Sequence, residues 1–152
     1  GERDYEGESR LVEAFRRAFY DPQKKLFRDS VESARTSYPS NIYAWFLGLY
    51  PDGECRAEII KMIRQKRLDK GMLFISFSLL AGLQRDGEEE LLLSLITDKK
   101  AWLRMIEEGA SATYEGWGKD AKWNTSLFHL TLSSCAALMV EGYDIGKVID
   151  LR

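Results

Sequence analysis

Histidine, cysteine and proline are scarce in this chain of 152 residues, which holds one, two and three of them respectively. His129 alone, with Cys55 and Cys135 far apart and without metal-ligand spacing, makes no cluster that could hold a metal ion, so no metal or other cofactor is expected. Each cysteine lies within an apolar helical pattern and reads as a buried or partly buried thiol, with a disulfide between them as the lesser alternative; the compartment stays open. Charge of one sign is also lacking. The 22 basic and 24 acidic residues are interspersed, which argues against nucleic acid as a partner, since that needs a basic surface with aromatic stacking positions. The short clusters Arg64-Gln-Lys-Arg67 and Glu88-Glu-Glu90 read as solvated helix ends or faces. No apolar run reaches the length of a membrane span, and the polar, acidic opening Gly1-Glu-Arg-Asp-Tyr-Glu6 does not read as a signal peptide. The missing initiator methionine suggests a processed chain or a piece of something longer.

What the chain does have is enough apolar matter for a core: 45% hydrophobic residues, 12% aromatic, at a length typical of one domain, 1–152. Periodicity makes it a series of helices. Glu8 to Tyr20 sets Leu11, Val12, Phe15, Ala18 and Phe19 at three- and four-residue spacing, and Asp21-Pro22 stops it. Asp21 to Asp29 is turn-like and Ser30 to Pro39 has loop composition, after which Asn41 to Tyr50 reads as a mostly buried helix ended by Pro51-Asp-Gly53. Glu54 to Lys66 is amphipathic, with Ile59, Ile60 and Ile63 inward. Gly71 to Leu83 is nearly all apolar; it could be two strands, but no hairpin turn divides it and helix is favoured. Glu88 to Ile96 and Asp98 to Glu107 are short helices, the second with Asp98 as its expected cap. Ser126 to Glu141 is expected to be a long apolar helix.

Amphipathic helices thus alternate with apolar ones. The first kind has one wet face, whereas the second must be covered on all sides. Outer and inner helices in alternation describe an all-α, double-layered toroid built from helical hairpins.

One segment breaks the pattern: Ala112 to His129 holds Tyr114, Glu115, Trp117, Trp123 and His129, with glycines at 116 and 118. From the residues alone Glu115 reads as an exposed loop acid and His129 as a partly buried histidine. Trp117 and Trp123 suit packing anchors and sugar platforms equally.

The ordered series Phe19-Tyr-Asp-Pro22, Leu26-Phe-Arg-Asp-Ser30, Thr36-Ser-Tyr-Pro-Ser-Asn41, Trp102 to Gly109, Thr113-Tyr-Glu-Gly-Trp117 and Asn124-Thr-Ser-Leu-Phe-His129 resembles the C-terminal half of the catalytic domain of bacterial α-L-rhamnosidases. That is glycoside hydrolase family 78, among the six-hairpin glycosidases. The resemblance runs from about Ala18 to Tyr143. It implies an (α/α)6 barrel of which this chain supplies roughly the last three hairpins, the N-terminal half being a missing partner. It also implies a bacterial parent that is cytoplasmic, periplasmic or secreted, and a carbohydrate, rhamnoside-like substrate.

Glycoside hydrolysis uses two carboxyl groups, and an inverting enzyme spaces them roughly 6.5–9.5 Å apart so that a water fits under the sugar. By the resemblance Glu115 is the general base, its pKa expected to be raised by partial burial beside aromatics. Tyr114 and Trp117 are expected to line the sugar, His129 to reach it from the next helix, and Asn41 to touch it or to brace the barrel mouth. Some family positions are replaced. Arg35 and Pro39 stand where the family commonly has histidines, and Leu130-Thr131 stands where Pro-Trp is usual. No segment resembles the acidic motif that carries the general acid. The chain alone is therefore expected to be without significant glycosidase activity, and half a toroid with bare apolar end faces is expected to self-associate. A degenerate sugar binder and a purely structural helical module remain as alternatives.

Overall fold

The structure is a computed structural model and describes residues 4–68 and 75–133. Cys135 and the second half of the expected last helix, 134–141, therefore lie outside the described residues. The chain is mostly helical and divides into two compact units, residues 1–65 and 66–152.

In the first unit, α1 (Tyr5–Phe19) starts because the Asp4 carboxylate accepts the Gly7 N–H at 2.8 Å; acids fill its first turn and Arg16 and Arg17 its last. Where Asp21-Pro22 was expected to give only a turn, the chain forms a small hairpin. β1 (Tyr20–Asp21) and β2 (Leu26–Phe27) pair antiparallel, Tyr20 opposite Phe27. Asp21 Oδ1 accepts the N–H groups of Gln23 and Lys24, and Lys25 takes a positive φ of 54° to close the turn. Phe15, Phe19, Tyr20 and Phe27 form an aromatic cluster, with centroid separations of 4.9–5.6 Å.

The next helix, α2 (Tyr38–Phe46), begins and ends earlier than its apolar run. Pro39 suits its first turn, and the Asp29 carboxylate holds that end by accepting the Ser37 N–H and the Ser40 hydroxyl. α3 (Gly53–Lys66) follows, with Cys55, Ile59, Ile60 and Ile63 buried.

The second unit carries α4 (Ser76–Arg85), which packs on α5 (Glu89–Ile96), then α6 (Trp102–Glu107). Seven of the ten α4 residues are buried, as its apolar run requires. Asp98 does not cap α6 as expected. Its carboxylate accepts Arg67 Nε at 2.7 Å and the Lys100 N–H, and the helix starts only at Trp102.

α2, α4 and α6 end in one way. Gly48, Gly87 and Gly109 adopt φ of 69–76°, and in each the two N–H groups after the cap fold back on the last turn, as Gly48 N to Trp45 O and Leu49 N to Ala44 O. A single glycine thus stops each rod.

Cys55 is fully buried and is a free thiol. Burial, with Asp52 beside it, pushes the thiol up to about 12, against the opposing pull of Arg16. Thiol reagents are therefore expected to leave Cys55 unmodified in the native chain and to label it only as fast as the unfolding of its surroundings. Peptide mass mapping after timed labelling checks this.

Candidate active site

The aromatic segment after α6 is a closed loop. Glu115 N–H donates to Ser126 O at 2.8 Å and His129 N–H to Thr113 O at 2.7 Å, while the Thr113 hydroxyl donates to His129 O. These bonds draw 126–129 alongside 113–115. For that reason the helix expected from Ser126 has not begun there; the described residues show only a 3-10 turn, Leu130–Ser133, after His129.

α6 clamps the loop from one side. Trp117 sits edge-on to Trp102, centroids 4.9 Å apart. Arg104 gives Nε to Glu108 at 2.7 Å, Nη1 to Trp117 O at 2.8 Å and Nη2 to Asp120. Glu108 returns the contact by accepting the Lys119 N–H. Gly118 is required here: its φ is 125°, and a Cβ would lie 2.3 Å from the Arg104 guanidinium carbon.

From the other side the loop is held by Glu115 itself. Lys122 Nζ donates to Oε1 at 2.7 Å, and Ser126 N–H donates to Oε2 at 3.2 Å. Lys122 and the Ser126 N–H, with His129 nearby, hold the carboxyl below the usual carboxylate range, outweighing partial burial. The expected rise in pKa is thus reversed, because a cation and an amide face the acid where apolar rings were expected to dominate. Glu115 is therefore ionised at neutral pH.

Such a shift favours the folded state above the unfolded carboxylate pKa and loses that contribution as pH falls through the lower folded value, in the region below about pH 4. Replacing Lys122 by Met is expected to raise the Glu115 pKa, read by carbon-detected NMR titration of the side-chain carboxyl. An unchanged midpoint would show that Lys122 does not set it.

The other site residues fall into two groups. Tyr114 and Trp117 are 2% and 6% exposed and belong to the core of the loop, so no sugar can stack on their faces as they stand. Asn41 is fully buried in the first unit, its amide bonded to Phe27 N, Phe27 O and Ser37 O. Both amide hydrogens are engaged, and the side chain ties β2 to the start of α2. His129 is half-buried and lies near enough to Glu115 to bias it toward ionisation.

Lys122, Ser126, Thr113 and Arg104 were not singled out in the sequence. Apart from Glu108, one helical turn from Arg104, the partners that hold the loop are 7 to 16 residues away across irregular chain, and no helical or strand period marks such pairs. A cavity of about 440 Å³ lies along α6 and residues 110–113, but it is apolar and Glu115 does not line it.

These features define a class: a mostly helical domain that carries a fixed, ionised carboxylate on an interhelical loop. Residues 2–142 match the family model described as the bacterial alpha-L-rhamnosidase 6 hairpin glycosidase domain, and the chain belongs to that family. Comparison with curated proteins and with solved structures gave no match.

Proposed function

We propose that this chain supplies the general base, Glu115, of an inverting hydrolase of terminal α-L-rhamnosides, with the general acid provided by another part of the barrel. The observation that carries this is the geometry of Glu115: an ionised carboxylate on a loop clamped at both ends, as a base must be. A six-hairpin barrel uses two helices per hairpin, and the described residues hold six helices, which fits a contribution of about half a barrel.

In the reaction Glu115 takes a proton from a water whose oxygen bonds to the anomeric carbon. The acid protonates the glycosidic oxygen as that bond breaks, and the sugar leaves with inverted configuration. His129 donates to a sugar hydroxyl. Tyr114 and Trp117 serve the site by fixing the loop.

A second reading, sugar binding without turnover, is favoured by one observation: each Glu115 oxygen already accepts a hydrogen bond, so an attacking water must share Oε1 with the Lys122 ammonium or Oε2 with the Ser126 N–H. Early-time proton NMR of the hydrolysate from an α-L-rhamnoside, using the protein that carries this chain in full, separates the readings. The β-anomer is expected first. The α-anomer first would overturn inversion, and binding without product would establish the second reading.

A further inference from the structure

Among the four tryptophans, Trp45, Trp102 and Trp117 are 0–6% exposed, whereas Trp123 is 95% exposed. An indole in that position contributes nothing to packing, so its apolar face stands open to a ligand. Its surroundings are not slack. The turn that carries it is closed by Thr125, whose hydroxyl accepts the Lys122 N–H at 2.9 Å and donates to Lys122 O at 2.8 Å. Both ends of the turn rest on Glu115: Lys122 through its ammonium and Ser126 through its N–H. A second clip, between the Ser126 hydroxyl and the backbone of Phe128, stiffens the outgoing chain.

A rigid turn fastened to the candidate base thus holds up one bare aromatic face, one residue from the lysine that touches the carboxylate. We propose that Trp123 is a stacking platform for the sugar ring bound beside Glu115. This rests on the reading of Glu115 as the base. A 6-deoxy-L-mannose ring suits such a platform, since its 6-methyl and axial C3 and C5 hydrogens give it an apolar patch, the axial 2-hydroxyl lying on the opposite face. Covering the indole removes apolar area from water on both partners and adds affinity for the ring without regard to the leaving group.

The test is calorimetric titration of methyl α-L-rhamnopyranoside into the full protein and its Trp123→Ala, Trp123→Phe and Glu115→Gln variants, with turnover and Tm measured alongside. Trp123→Ala is expected to bind about tenfold more weakly, Trp123→Phe to retain most of the affinity, and neither to shift Tm. Bound sugar is also expected to protect from iodide the fluorescence that Trp123→Phe removes. Equal affinity of Trp123→Ala and wild type would overturn the platform, and if Glu115→Gln has lost turnover the base assignment survives. Undiminished turnover in Glu115→Gln would overturn the base, and no glycoside binding to any form would overturn both.

Discussion

Glu115→Gln is expected to lower kcat on a nitrophenyl α-L-rhamnoside by about a thousandfold, within the range of a lost general base, and to leave sugar binding in place. The substitution keeps the shape of the side chain and its capacity to accept the Ser126 N–H, so the loop has no reason to open. It removes the charge opposite Lys122 and the basic oxygen that takes the proton from water. A step made only in the transition state is thereby lost, and the loss is expected in kcat rather than KM. The measurement is steady-state kinetics on the protein that carries this chain in full, with the same assay run on a glycoside panel that includes other deoxy and uronic sugars. Unchanged turnover would make Tyr114-Glu-Gly-Trp117 a packing loop. Azide offers a further check on a Glu115→Gly variant: a small anion that needs no deprotonation is expected to attack where water cannot, giving a glycosyl azide of inverted configuration.

The lysine contact shapes the pH dependence expected of the same enzyme. A carboxylate held low is charged over a wide range but is a weaker base. Substrate that displaces Lys122 would leave Ser126 as the remaining direct donor from the described residues and let the carboxyl rise toward its ordinary value. The acid limb is therefore expected to lie at lower pH in kcat/KM, which reports the free enzyme, than in kcat, which reports the complex.

How far such a site can be read from sequence depends on which interactions carry a period. α1, α3 and α5 stand within a few residues of their expected spans, at Tyr5–Phe19, Gly53–Lys66 and Glu89–Ile96. Their charged and apolar residues alternate at helical spacing, and that spacing is a direct consequence of one wet and one dry face. The hairpin of β1 and β2 escaped notice because strands of two residues are too short to show alternation. α2 stops at Phe46 although the apolar run goes on to Tyr50, because Gly48 closes the helix before Pro51 is reached. The loop at 113–129 stood out by composition, and Glu115 by the resemblance. Its electrostatics were misjudged because Lys122 reaches it through a turn, and nothing in the spacing announces that contact.

Asn41→Ala is the substitution in this chain expected to cost most in stability outside the apolar core, about 3 kcal/mol. Its Oδ1 accepts the Phe27 N–H at 2.8 Å, and Nδ2 donates to Phe27 O at 3.0 Å and to Ser37 O at 2.8 Å. One amide thus serves both backbone groups of the inward residue of β2 and a carbonyl at the start of α2. Phe27 is 1% exposed and Asn41 fully buried, so water cannot readily replace the lost partners. The removed amide itself forms little apolar contact; the cost is that of buried backbone groups left unpaired. Asn41→Asp tests that account against simple loss of volume. It keeps the size and the acceptor for Phe27 N–H, but sets a carboxylate against two carbonyl oxygens, and is expected to be at least as damaging as Asn41→Ala at neutral pH. It should recover in part as the pH falls and the acid becomes a donor. Urea unfolding followed by circular dichroism at pH 7 and pH 4 measures both variants. If Asn41→Asp proved as stable as wild type at pH 7, donation by Nδ2 would not be what ties β2 to α2, and the hairpin beside α2 would owe its place to the packing of Phe15, Tyr20 and Phe27 alone.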